Sequence, residues 1–98
     1  MSEVSRDVLR DVGGDTSFRF CDGREARSLS EFHERLTALE EDSFRHHVNE
    51  DQNDFSAWLK DVVGDEPLAR DMEGATQEQA LALVKARLTF LSRTLEDE

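Results

Sequence analysis

Two histidines, a carboxylate, two carboxamides and the single indole of the chain lie close together in the middle of the sequence. They belong to the runs His46-His47-Val48-Asn49 and Asn53-Asp54-Phe55, which are followed by Trp58. An imidazole beside a carboxylate is an arrangement that positions a general base, and histidines are frequent zinc ligands. The cluster is therefore considered first as a catalytic or metal-binding site.

As a metal site the cluster has unsuitable spacing. Neighbouring residues on a helix diverge by about 100°, so His46 and His47 cannot both face one ion. Zinc takes three or four ligands, no further histidine follows at the next helical turn, and His33 lies on another predicted helix. We therefore expect no bound metal. A small-ligand or metal sensor that uses these three histidines with Asp54 is the alternative.

As a catalytic site the cluster lacks a nucleophile in a recognisable motif. Cys21 is the only cysteine of the chain, and it follows a predicted strand beside a turn. A small, half-buried residue is a simpler interpretation of it than a reactive thiol. A domain of this size also offers little room for a pocket of typical volume. We expect no enzyme activity and no cofactor.

The structural interpretation of the cluster is favoured. Asn53 is a good N-cap for the helix that carries Phe55 and Trp58, and His47 is expected to hydrogen-bond to a backbone carbonyl or to Asp54. If these groups reach the surface instead, they form a docking site in which polar groups surround an aromatic anchor. The candidate binding residues are then His47, Asn53, Asp54, Trp58 and, as a possible interface contact on the last helix, Phe90.

The elements that position these residues are mostly helices. A period-two run over 16–21 before Asp22-Gly23 predicts either a single strand or a hairpin with a two-residue type I′ turn. Apolar spacings of three and four, with capping boxes at Ser28 and Thr76, predict helices over about 28–39, 43–49, 54–63, 65–73 and 77–95. We expect a mainly α fold, a bundle of four to five short helices with one N-terminal strand or β-hairpin. Residues 1–15 form an arm that is either flexible or a short helix, 16–95 form the single domain, and 96–98 form a frayed acidic tail.

The last predicted helix has a wide apolar arc. Phe90 lies outside its main stripe, which makes it a candidate contact to a second subunit. The alternative is that the helix lies centrally in its own bundle, where both sides of the arc are buried.

Acidic residues dominate the composition. The chain has 23 Asp and Glu against 12 Lys and Arg, and its formal net charge is −11. Self-repulsion destabilises such a chain in dilute salt, whereas at molar ionic strength the Debye length falls to about 3 Å. The composition is typical of cytoplasmic proteins of salt-loving microbes. It argues against a nucleic-acid partner, and no apolar run is long enough to cross a membrane.

The segment from Phe18 to Ala69 resembles a family numbered 5752 among the archaeal domains of unknown function, common in halophiles. The matching residues are Phe18-x-Phe20-x-x-Gly23, Ser28-Leu29-x-Glu31, Ser43-Phe44-x-x-His47-Val48, Asn53-Asp54-Phe55-x-x-Trp58 and Gly64-Asp65-x-x-Leu68-Ala69. The resemblance implies an archaeal, cytoplasmic setting and an accessory role, and it implies no activity. We expect a protein-binding accessory or regulatory module whose partner is another protein or a second copy of the chain.

Overall fold

The computed structural model describes residues 8–49 and 52–96. Within these residues a two-stranded antiparallel sheet is followed by five α-helices, which confirms the predicted mainly α bundle with an N-terminal hairpin. The strands are β1 (Phe18–Arg19) and β2 (Glu25–Ala26), and the helices are α1 (Leu29–Thr37), α2 (Glu41–His47), α3 (Asp54–Trp58), α4 (Glu66–Met72) and α5 (Gln77–Glu96). No helix of the described residues is both long and apolar enough to cross a membrane.

The hairpin turn differs from the predicted two-residue type I′ turn. Phe20 N–H donates to the Arg24 carbonyl at 2.8 Å, so the loop contains the three residues between them. A type I′ turn needs positive φ at two central positions, but only Gly23 has it here, at +93°. The Asp22 carboxylate accepts a hydrogen bond from Arg24 N–H, which supports the wider turn. Of the two predicted alternatives, a single strand or a hairpin, the structure has the hairpin, and the predicted turn type was wrong.

Helix α1 begins as predicted and buries the predicted stripe. The Ser28 hydroxyl caps it by accepting from Glu31 N–H at 3.1 Å. The Glu31 carboxylate accepts from Arg27 N–H instead of from Ser28 N–H, so only one half of the capping box forms as expected. Leu29, Phe32 and Leu36 are completely buried, and they anchor the helix against the hairpin and α5.

The helix predicted over 54–63 changes its hydrogen bonding halfway. Regular α-helix ends at Trp58, and a π-helical turn covers Leu59–Val63 before Gly64 ends it with a φ of +85°. Because a π turn adds a residue to the ladder, the inward position shifts. A regular helix over 54–63 would place Val62 on the inward side, at the spacings of three and four that it makes with Leu59 and Trp58. In the structure Val63 is buried and Val62 is half-buried.

Helices α4 and α5 follow the predicted boundaries closely. Asp65 caps α4, and Thr76 exchanges both bonds of a capping box with Gln79 at the start of α5. The buried side of α5 consists of Ala80, Val84 and Leu91, with Leu81, Leu83 and Leu88 half-buried beside them. The core that these helices cover is rich in aromatic rings: Phe18, Phe20, Phe32, Phe44, Phe55 and Trp58.

Part of the predicted N-terminal arm lies in the described residues, and that part packs against the domain. Val8 is buried, and Val12 N–H donates to the Arg27 carbonyl. The Arg10 guanidinium donates to the backbone carbonyls of Val62 and Val63, at 2.9 and 3.3 Å. Residues 1–7 of the arm and 97–98 of the predicted tail lie outside the described residues.

Candidate functional site

His47 lies at the end of α2 with its side chain buried among the aromatic rings of the core. Its Nδ1 is 3.0 Å from Asp54 Oδ2, and its Nε2 accepts a hydrogen bond of 3.0 Å from Cys21 N–H. Only a neutral imidazole with its proton on Nδ1 makes both bonds, because Nε2 must offer its lone pair. His47 therefore joins the hairpin turn to the end of α2 and to the start of α3. The sequence left either a backbone carbonyl or Asp54 as the hydrogen-bond partner of His47, and in the structure this partner is Asp54.

This geometry resembles a catalytic triad only in its residue types. Cys21 contributes its backbone N–H to the imidazole, and that bond uses the single lone pair of Nε2. The Cys21 thiol is exposed, and its Sγ is 4.0 Å from the Ser43 carbonyl oxygen. In this arrangement His47 has no lone pair left with which to take a proton from the thiol, so a Cys-His nucleophile of the usual kind is not assembled.

Asn53 joins α3 to α4 with its side-chain amide. Its Oδ1 caps α3 by accepting from Ser56 N–H at 2.9 Å, as predicted, and its Nδ2 donates to the Met72 carbonyl at 3.0 Å. One turn later, the Ser56 hydroxyl donates to the Ala69 carbonyl at 2.7 Å. The amide thus satisfies backbone groups at the start of one helix and the end of the next.

Trp58 is buried, and its indole N–H donates to the Thr16 carbonyl at 2.8 Å. This bond ties α3 to the segment that precedes the hairpin. Each of the polar groups of His47, Asn53 and Trp58 therefore has an internal partner, and His47 and Trp58 do not reach the surface. Asp54 is the most accessible of the predicted cluster, with 40% of its side chain exposed.

The remaining histidines do not complete a metal site. His46 is exposed with its ring at 89° to that of His47, and His33 lies half-buried on α1. Among residues 8–49 and 52–96, no three His, Cys, Asp or Glu side chains are grouped so that they could hold an ion.

A buried ion pair that the sequence analysis missed lies between α4 and α5. The Asp65 side chain is completely buried, and its two carboxylate oxygens accept from Arg87 Nε at 2.7 Å and Arg87 Nη2 at 3.2 Å. Asp65 Oδ1 also accepts from Leu68 N–H, which makes it the N-cap of α4. The sequence analysis predicted a helix that starts near Asp65, but it predicted neither the capping role of Asp65 nor its pairing with an arginine 22 residues later.

A surface of different character lies on the solvent side of α5. We call it the α5 outer face, and it consists of Ala82, Lys85, Ala86, Thr89, Phe90 and Arg93. Phe90 is 58% exposed, and no other large hydrophobic side chain in residues 8–49 and 52–93 is exposed. The Arg87 guanidinium carbon is 5.6 Å from the centre of the Phe90 ring, within the range of a cation–π contact. Of the predicted binding residues, Phe90 is the one with a largely accessible side chain.

Comparison with protein-family models, with curated proteins and with solved structures finds no match to this chain. The resemblance of residues 18–69 to the archaeal family therefore stays a prediction. In this structure its most specific residues, His47, Asn53 and Trp58, connect the hairpin, α2, α3 and α4.

Proposed function

We propose that this chain is a small accessory or regulatory module that acts by binding another protein, with the α5 outer face as its docking surface. The observation that carries the proposal is the exposure of Phe90 on that face. A phenylalanine buries about 150–250 Å² when it is fully covered. Covering the exposed part of Phe90 would thus contribute about 2–3 kcal/mol at ~25 cal/mol per Å², which is the contribution expected of an interface hot spot.

A single exposed phenylalanine would not support this proposal, because isolated surface hydrophobics are common. The surroundings of Phe90 support it. Ala82 and Ala86 extend the apolar surface along the helix, and the long side chains of Lys85 and Arg93 border it. An exposed aromatic residue next to apolar surface and flanked by basic side chains has the composition that is enriched in protein–protein contacts.

The His47 cluster, by which we mean His47, Asn53, Asp54 and Trp58, fits the docking role less well. The polar groups of His47, Asn53 and Trp58 already bond to the chain itself, so a partner could bind these three only by displacing those internal hydrogen bonds. Such an exchange would leave buried groups without partners, at a cost of about 1–3 kcal/mol for each of them. These residues maintain the fold that supports the α5 outer face.

The setting that we propose is the salt-rich cytoplasm of an archaeal cell. This part rests on the net charge of −11 and on the family resemblance. In such a setting screening removes most of the long-range repulsion, so contacts made at short range, such as those of Phe90, supply the affinity.

Affinity capture from a native lysate in molar KCl tests the proposed function. Wild type, Phe90→Ala and Lys60→Ala serve as baits; Lys60 is exposed on the π-helical turn after α3, and its replacement is the control. We expect a protein that wild type and the Lys60 variant retain and the Phe90 variant loses, with all three baits equally folded by circular dichroism. Identical eluates from the three baits would contradict the proposal.

A further inference from the structure

The α5 outer face is basic on a strongly acidic protein. Between Glu78 and Glu96 the sequence has no acidic residue, and this is the longest stretch of the chain without one. The same stretch carries Lys85, Arg87 and Arg93, whereas the whole chain has a net charge of −11. The charge pattern therefore distinguishes this helix from the rest of the molecule.

The basic side chains are placed around Phe90. Lys85 and Arg93 border the groove that runs along α5 on one side of the ring. On the other side, a second groove is lined by Pro67 and Leu68 of α4 and by Arg87, whose guanidinium Asp65 holds in place. Asp71 is the acidic residue in that second groove. Among the side chains that the structure describes, the groove on the Lys85–Arg93 side is lined by these two basic residues and by no carboxylate.

We propose that the partner presents an acidic amphipathic α-helix, which packs along the α5 outer face with its apolar side on Phe90 and its carboxylates opposite Lys85 and Arg93. This inference rests on the proposed function and specifies its partner. The residues of the α5 outer face lie three or four positions apart between Ala82 and Arg93, so they form a strip about 16 Å long on one side of the helix. A helix of about three turns matches that length and is the element that packs along such a strip.

Charge favours this partner over a second copy of the chain. Two copies joined through this face would bring the basic side chains of one α5 against those of the other, and the rest of each copy has a large negative charge. Like charges that face each other across an interface weaken it. A nucleic acid is disfavoured because its affinity comes from many phosphate contacts, whereas the α5 outer face offers two basic side chains, Lys85 and Arg93. An acidic helix meets complementary charge at the contact.

The test is photo-crosslinking with benzoylphenylalanine in place of Phe90. The control is a second variant that carries the same probe in place of Ala57, which is exposed on α3. Mass spectrometry then identifies the segment joined to the probe. We expect an acidic segment with helical apolar spacing, joined from position 90 and not from position 57. In the same experiment Lys85→Glu should lower the adduct yield at least about tenfold, because it places a carboxylate against the acidic partner. The matched Lys60→Glu should leave the yield unchanged.

Other outcomes would overturn the inference in distinguishable ways. An adduct to a second copy, to nucleic acid, or to a basic or extended segment would reject the acidic helix while leaving Phe90 at an interface. Equal yields from the Lys85 and Lys60 variants would reject the charge argument alone. An absence of adducts specific to position 90, together with identical capture eluates, would reject the proposed function as well.

Discussion

The ion pair between Asp65 and Arg87 gives the sharpest prediction about stability. The carboxylate is completely buried, while 26% of the arginine side chain is exposed. Arg87→Met would therefore strand a charge that has no access to water, and we expect it to lower the free energy of unfolding by about 3–4 kcal/mol. Asp65→Asn retains the cap acceptor for Leu68 N–H and leaves a cation that can reach solvent, so we expect a smaller loss of about 2 kcal/mol.

The double variant distinguishes an ion pair from simple packing. Combining Asp65→Asn with Arg87→Met removes the stranded carboxylate, so the double variant should be more stable than Arg87→Met alone. The control is Arg93→Met on the exposed side of the same helix, expected to change stability by less than about 0.5 kcal/mol. Urea unfolding followed by circular dichroism at one fixed KCl concentration gives all four values. Additive losses in the double variant, or equal losses for Arg87→Met and Arg93→Met, would refute the reasoning.

Two further predictions concern the His47 cluster and the acidic surface. His47→Phe retains the ring volume but removes the bonds to Cys21 N–H and Asp54, so it should cost about 2 kcal/mol. His46→Phe on the exposed neighbour should be nearly neutral, and equal thermal melts for the two variants would contradict this assignment. Helicity and melting temperature should rise as KCl is raised from low to molar concentration, because screening relieves the repulsion within a chain of charge −11. A melting curve that does not respond to KCl would contradict the halophilic interpretation.

Local signals in the sequence were sufficient for most helix boundaries. All three predicted N-caps form. In each of them the side-chain oxygen accepts a hydrogen bond from the backbone N–H three residues later, at Ser28, Asn53 and Thr76. A cap depends on residues within one turn of each other, so the sequence displays it directly. The same holds for Gly64, which ends the π-helical turn with positive φ at the place predicted for a helix end.

Two predictions were wrong, and both concern places where one additional residue changes the pattern of backbone hydrogen bonds. The hairpin loop has three residues instead of two, and the π turn moves Val63 inward at the expense of Val62. Propensity hardly distinguishes these alternatives, because the competing forms differ by one backbone bond. Tertiary contacts decide them: His47 Nε2 fixes Cys21 N–H in the hairpin loop, and Arg10 bonds to the carbonyls of Val62 and Val63.

The sequence indicated which residues form the candidate site, but it did not indicate which of them lie at the surface. The sequence left a backbone carbonyl or Asp54 as the partner of His47, and Asp54 was a candidate because the two residues flank one short loop between two helices. It could not show whether those groups face solvent, since that depends on the hairpin that closes over them through Cys21. Phe90, placed outside the main stripe by spacing alone, is the candidate that the structure leaves at the surface.

The buried ion pair and the exposed phenylalanine are connected through the rotation of α5 about its axis. Hydrophobic burial specifies that rotation in part, because Ala80, Val84 and Leu91 are fully buried while leucines on both sides of them are half-buried. A rotation of the helix would bring Leu91 toward solvent. It would also break the bidentate bond from Arg87 to the buried carboxylate of Asp65, which has a directional requirement that apolar packing lacks. We infer that Leu91 and this ion pair together determine which side of α5 faces outward. Because Arg87 lies three residues before Phe90, the same orientation keeps the α5 outer face at the surface.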